Sequence, residues 1–210
     1  MPTRIFDIGK ITPEELKRTA ADMRAGAVAV FPTDTVYGIG ACIFCEEALS
    51  RIYTIKERPQ KMPFQLLLSE TEQAQQVAEF SASSQKLAQA FWPGGLTLIV
   101  PPKKGKESLA RGFSGIGLRV PAYRFLTGFI KEVQAPLAST SANLHGQPVI
   151  TEEKELVETF FGKVDLIFTA GTLSPCASSV VDMMQSPRLL REGCISKKQL
   201  ENVLSESINN

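Results

Sequence analysis

Apolar positions recur at helical spacing over several stretches of the chain, separated by short, continuous apolar runs. Thr12-Pro13-Glu14-Glu15 reads as a helix start: a capping threonine, a proline in the first turn and acids facing the helix dipole. Leu16, Ala20 and Met23 follow on one face, and Gly26 ends the run. Residues 27–31 are continuously apolar, as in a buried strand. Ala48, Leu49, Ile52 and Ile55 predict a helix over 46–55, and 71–79 and 83–91 read as two more. Further helices are predicted over 122–132, 151–161 and 196–204. Strands are predicted over 64–68, 96–100, 116–120, 136–138, 166–169, 179–183 and 188–191.

These elements mix without the strict alternation of a doubly wound fold. They predict a single α/β domain over 1–210, with a twisted, mixed, open sheet flanked by helices. No period of about 20–50 residues recurs, no linker divides the chain, and 205–210 read as a frayed end.

Composition narrows the functional classes. Of 210 residues, 43% are hydrophobic, and 23 basic against 22 acidic residues leave a net charge of +1. That balance argues against blanket polyanion binding, so any nucleic-acid surface is a local patch. No apolar run approaches the ~18 residues of a membrane span, and the N-terminus has no apolar signal core. The expectation is a cytoplasmic protein away from membranes. Cys42 and Cys45 form a single C-x-x-C without the second half of a zinc ribbon. With Cys176 and Cys194 they read as buried thiols in a reducing compartment. The single histidine, His145, excludes multi-histidine metal sites and makes triad hydrolysis a poor fit.

Four constellations hold candidate chemistry. In 31–40 a buried strand runs into Thr33, Asp34 and Thr35, then Gly38 and Gly40; this suits a ligand beyond a strand end, or an ordinary turn with packing glycines. In Lys56-Glu57-Arg58-Pro59 the proline favours an extended Arg58. Lys56 and Arg58 would then project together onto a polyphosphate, while a solvated helix end is the plainer alternative. In 135–146, Ser139, Thr140, Ser141 and Asn143 follow a short apolar strand, which suits phosphate and amino-acid recognition or a capped turn. In the last third, Ser178 and Ser179 enter a strand and Arg191 leaves one. Residues 101–125 add Lys103, Lys104, Lys106, Arg111, Arg119 and Arg124 against Glu107, a local excess that either steers ATP or RNA or is simply solvated. No P-loop, Rossmann fingerprint or kinase signature is present, so any ATP binds in another way.

The order of these segments carries more than each alone. PTDTVYGIG, K-x-R-P, FWPGGLT, LRVP, STSAN, SSVVD and LREG occur in that sequence. The set resembles the YrdC-type threonylcarbamoyl-AMP synthase family in its short, single-domain form, over about residues 10–204. The resemblance implies a nucleotidyltransferase that condenses L-threonine, bicarbonate or CO2, and ATP to threonylcarbamoyl-AMP and pyrophosphate. The product would pass to a transferase complex that modifies tRNA. By motif, the resemblance assigns Thr35, Arg119, Ser139 and Ser178 to threonine. It assigns Lys56, Arg58, Ser141, Asn143, Val149 and Arg191 to ATP, with Lys56, Arg58, Ser141 and Asn143 positioning the reacting groups. It implies Mg2+ carried on the ATP phosphates, with no metal site built from protein. Leu67 stands where many members have a threonine-contacting histidine, His145 where serine is frequent, and Gly95 where proline is frequent. The alternative reading is a non-catalytic RNA-binding paralogue of the same fold. Direct contact with tRNA is open under either reading.

Overall fold

One face of a single sheet is shared between a hydrophobic core and an open cavity, and the strand order explains how. The computed structural model describes residues 2–57, 59, 62–173 and 176–209. Among them ten strands form one sheet: β1 (Arg4–Asp7), β2 (Ala29–Phe31), β3 (Gly38–Cys42), β4 (Gln65–Leu67), β5 (Leu96–Val100), β6 (Ile116–Arg119), β7 (Leu137–Ser141), β8 (Leu166–Thr169), β9 (Ser179–Asp182) and β10 (Arg188–Arg191). The order is β1-β8-β2-β3-β7-β4-β6-β5-β9-β10. Pairs β1–β8, β2–β8, β4–β6 and β5–β9 are parallel and the others antiparallel. The mixed sheet agrees with the expected fold class.

Seven helices accompany it: α1 (Pro13–Arg24), α2 (Glu46–Ile55), α3 (Thr71–Val77), α4 (Ala82–Phe91), α5 (Arg124–Val133), α6 (Glu153–Phe160) and α7 (Lys197–Leu204). The predicted Thr12 cap forms, and Glu15 completes a capping box with it: Thr12 Oγ1 accepts from the Glu15 amide at 3.2 Å, and Glu15 Oε2 accepts from the Thr12 amide at 2.9 Å. Helices α1 and α5 cover part of one face, burying Ala20, Met23, Leu126, Phe129 and Ile130 against Phe31, Leu67, Leu137 and Phe168. The other helices cover the opposite face with a larger cluster around Ile39, Leu49, Ile52, Leu66, Leu98 and Leu118.

Four expectations need correction. Strand β1 was not anticipated, because its burial alternates around the exposed Ile5 and gives no apolar run. Strand β3, which holds Gly38 and Gly40, was likewise not anticipated. A Cβ on Gly40 would sit 2.7 Å from the Ala138 carbonyl and 3.0 Å from Phe31 Cζ, so that glycine serves packing. Strand β7 continues through Ser139, Thr140 and Ser141, so these hydroxyls project from a strand, not a capped turn. The chain end is not frayed through 209: Ile208 is buried, and Leu189 N donates to the Asn209 carbonyl at 2.8 Å, which pairs the tail with β10.

All four cysteines are free thiols. Cys42 ends β3 and is buried, and Cys45 precedes α2; burial, then the neighbouring Cys42, pushes the Cys45 thiol up. That is the opposite of a redox-active C-x-x-C. Among the described residues no helix is long and apolar enough to cross a membrane, and no cluster of His, Cys, Asp and Glu could hold a metal.

Candidate active site

Side chains two residues apart on a strand face the same side, and on β4 and β7 this spacing carries the sheet from core to site. Leu67 and Leu137 lie under the α1–α5 helices, while Gln65 and Ser139, two residues away, line a cavity of about 220 Å³. Gln65 pairs in register with both Gly117 and Ser139, so β4, β6 and β7 form the cavity floor together. Thr97, Ile99 and Val180 extend it, and Thr33, Thr35 and Gly38 form a wall. Small and hydroxyl-bearing residues leave the space that larger side chains would fill.

Arg119, at the end of β6, is 2% exposed. Its Nε donates to the Gly94 carbonyl at 3.0 Å, Nη1 to Thr35 Oγ1 at 2.9 Å and Nη2 to Asp34 Oδ1 at 2.6 Å. Burial pushes its pKa down from the ordinary range, and the Asp34 carboxylate pulls it back up. Three of its five N–H groups are thus used, and two remain for a ligand. The turn before it is fixed as well: the Thr33 and Thr35 hydroxyls lie 2.8 Å apart, and Thr33 Oγ1 donates to the Val36 carbonyl at 2.7 Å. Tyr37 anchors the rim, its hydroxyl donating to the Gly171 carbonyl at 2.6 Å and accepting from the Ala170 amide at 3.0 Å.

On the same cavity, Arg191 Nε donates to the Ser178 carbonyl at 2.9 Å and Nη2 to Ser178 Oγ at 3.0 Å. Arg191 ends β10 and stays exposed at the cavity mouth. Ser179 ties this corner to the last helix: its hydroxyl donates to the Ile195 carbonyl at 2.6 Å and accepts from the Gly193 amide at 2.9 Å.

Seven of the residues assigned from sequence line the cavity: Thr35, Arg119, Ser139, Ser141, Val149, Ser178 and Arg191. Lys56 and Asn143 stand behind Ser141. Lys56 is the C-cap of α2, with Glu57 in the left-handed region at φ 53°, so the extended K-x-R expected from Pro59 is not formed at these two residues. Its Nζ donates to the Ser141 carbonyl at 2.5 Å, to the Asn143 carbonyl, and to Asn143 Oδ1 at 3.2 Å. Ser141 Oγ donates to the same Oδ1 at 2.6 Å, and Asn143 Nδ2 to the Gln147 carbonyl at 2.5 Å. Buried Lys56 thus organises the loop after β7. Arg58 lies outside the described residues. Leu67, at the position of the family histidine, packs in the core and does not line the cavity.

Sequence reasoning passed over Gln65 and Thr97. Each is a polar residue inside an otherwise apolar strand, Phe-Gln-Leu-Leu and Leu-Thr-Leu-Ile-Val. A period-two reading of those strands marks them.

Comparison with known proteins places the chain. A family profile described as telomere recombination (Sua5/YciO/YrdC) matches residues 21–193. A protein of Pyrococcus abyssi named threonylcarbamoyl-AMP synthase is 33% identical over 201 residues, covering 94% of this chain and 59% of that protein. The chain therefore spans less than two thirds of that relative's length. A Mycobacterium tuberculosis protein named putative threonylcarbamoyl-AMP synthase is 30% identical over 210 residues, covering 96% of this chain and 95% of its own. The crystal structure of P. abyssi Sua5 complexed with L-threonine superposes with a TM-score of 0.91 at 31% identity, covering 99% of this chain and 63% of that one. The match across most of the chain, the shared sheet and the motif-bearing cavity together show that the chain belongs to the Sua5/YciO/YrdC family.

Proposed function

We propose that this cavity condenses L-threonine, bicarbonate and ATP to threonylcarbamoyl-AMP and pyrophosphate. The observation that carries the reading is one cavity lined by two anchored guanidinium groups, Arg119 held by Thr35 and Arg191 held by Ser178. Arg119 and Thr35 suit an amino-acid carboxylate, since two Arg119 N–H groups remain unused. Arg191 suits a phosphate, its guanidinium exposed at the mouth, while Ser178 stays with the threonine pocket.

The chemistry needs no protein nucleophile. The threonine amine adds to CO2 and loses a proton, giving a carbamate. A carbamate oxygen attacks the α-phosphorus, and the bond from that phosphorus to the pyrophosphate oxygen breaks. Both reactants are anions, so the chain's work is to hold them in line and offset their repulsion. Arg191 would hold phosphate, Ser139 and Ser141 would orient the carbamate and the α-phosphate, and the loop tied down by Lys56 would keep Ser141 in place. Arg58, of the same motif, would add a second cation. Among the described residues no carboxylate lines the cavity; its polar side chains are hydroxyls, the Gln65 amide and two guanidiniums, a set that would receive Mg2+ on the ATP phosphates. When bound there, the ion would supply charge neutralisation on the leaving pyrophosphate.

The product is a reactive mixed anhydride, which accords with a separate transferase consuming it for tRNA modification. The test is pyrophosphate release from ATP with L-threonine and bicarbonate each omitted in turn. The expected result is release that requires both. ATP binding without release would indicate a changed substrate. No ATP binding would favour the RNA-binding reading, with the exposed Lys103, Lys104 and Lys106 as its surface.

A further inference from the structure

Gln65 stands in the middle of the cavity floor, and none of the seven motifs includes it. With the Gln65 amide oxygen facing Thr97, the hydrogen bonds around it run in one sequence. Thr97 Oγ1 donates to Gln65 Oε1 at 2.9 Å. A hydroxyl carries one proton. The 3.1 Å contact between the Thr97 and Ser178 hydroxyls must therefore run from Ser178 to Thr97. Ser178 Oγ has then spent its proton and also accepts from Arg191 Nη2 at 3.0 Å. The chain of donors is Arg191 to Ser178 to Thr97 to Gln65. Neither Ser178 nor Thr97 has a proton left to offer a ligand.

Gln65 ends the chain differently. Its oxygen is held by Thr97, and its amide nitrogen, with two protons, has no partner among the described residues. Its register neighbours on the floor are Gly117, without a side chain, and Ser139, whose hydroxyl has only a 3.4 Å contact to the next carbonyl. The Gln65 nitrogen is thus a neutral donor on the cavity floor, linked through Thr97 and Ser178 to Arg191. Charged oxygens of the ligands have the two guanidiniums to pair with. A neutral donor beside them matches a neutral acceptor. Arg119 is the register partner of Leu67, one same-face step along β4 from Gln65. An amino acid whose carboxylate meets Arg119 and Thr35 therefore has Gln65 within reach of its side chain.

We infer that the Gln65 amide nitrogen donates to the side-chain hydroxyl of the amino-acid substrate and sets the preference for a β-hydroxy amino acid over its apolar isostere. The inference rests on the threonine reading above. A site whose donor is left without an acceptor rejects the isostere, because an oriented polar group is desolvated for nothing.

The experiment compares kcat/KM for L-threonine and L-valine, by pyrophosphate release, in the full chain and three variants: Gln65→Met, Gln65→Leu and Thr97→Val. The wild type is expected to favour threonine strongly. Gln65→Met, close to isosteric, should lower the threonine-to-valine ratio about tenfold or more, through a loss with threonine and none with valine, while the KM for ATP stays within about twofold. Thr97→Val leaves the amide in place but unoriented and should lower the ratio several-fold. A wild-type ratio near one, or a Gln65→Met ratio equal to wild type, overturns the inference. Should both Gln65 variants melt before assay temperature, the Thr97→Val ratio decides it. A wild type that releases no pyrophosphate with threonine instead overturns the synthase reading itself, so the two failures are distinguishable.

Discussion

Replacing Asp34 by Asn tests whether Arg119 is a pre-oriented receptor for a carboxylate. Arg119 is 2% exposed and its charge is balanced by Asp34 Oδ1 at 2.6 Å. Removing one partner of a buried pair costs about 3–5 kcal/mol, because the other charge stays buried. Here Arg119 keeps the Gly94 carbonyl and Thr35 Oγ1 as acceptors, and Asn keeps an oxygen where Asp34 Oδ1 sits. The cost should fall to about 2–3 kcal/mol. For a chain of this size each kcal/mol shifts Tm by about 2–4 °C, so Asp34→Asn should melt about 4–12 °C below wild type. The sign of the ligand effect is more informative than the drop. A carboxylate entering the cavity supplies the negative charge that the variant lacks, so saturating L-threonine should raise the Tm of Asp34→Asn more than that of wild type. Thermal melts with and without L-threonine, and with L-threonine methyl ester as the uncharged control, read both quantities. A variant as stable as wild type would refute the buried-pair argument. Equal threonine shifts in the two proteins would show that the carboxylate binds away from Arg119.

Arg191→Ala removes the cation at the cavity mouth and two donors to Ser178. It should lower kcat/KM for ATP by about one to two orders of magnitude, a charged hydrogen bond being worth ~1.5–3 kcal/mol, with Tm within about 2 °C of wild type. An unchanged ATP dependence would remove Arg191 from the phosphate site. Gly40→Ala drives a methyl to 2.7 Å from the Ala138 carbonyl, which belongs to the backbone of β7 and cannot swing aside. Urea melts should show a loss of about 1–3 kcal/mol at unchanged slope. Burial pushes the Tyr37 phenol up to about 12. The unfolded phenol ionises near pH ~10, so this group's contribution to stability is intact below pH ~10 and falls as pH rises toward 12. Ultraviolet titration should show a late-ionising component that is lost in Tyr37→Phe.

How much of this was legible depended on whether a residue's partners are near in sequence. Helix α2 and strands β5, β8 and β10 were read at their observed bounds, because apolar spacing, flanking acids and runs such as Leu-Thr-Leu-Ile-Val are local signals. Strand β3 was not, since two glycines in five residues give no apolar run, and the Phe31 ring that lies across them belongs to another strand. The ordered motifs led to seven cavity residues by resemblance. The place of Lys56 was hidden because its acceptors, Ser141 and Asn143, lie 85 and 87 positions away. Arg119 was assigned to a substrate carboxylate, and nothing in LRVP indicates that a carboxylate of the chain already pairs with it.

The shared face also explains why the site is held in one geometry. A strand shifted by one residue presents its other side chains. A slip in β7 would turn Leu137, Ser139 and Ser141 away and bring Ala138 and Thr140 to the cavity face. Leu137 would leave the α1–α5 cluster, and the Ala138 position in the opposite cluster would be lost at the same time. Each error in site geometry therefore carries the cost of two disrupted cores, on the order of several kcal/mol for displaced buried apolar side chains. Strand β3 locks the same register from its other side, because Gly40 meets β7 and the Phe31 ring more closely than any side chain permits. The hydroxyls of Ser139 and Ser141 are thus positioned by packing that lies outside the cavity. A substrate arrives at donors already fixed in place, which is the condition under which electrostatic stabilisation costs no reorganisation.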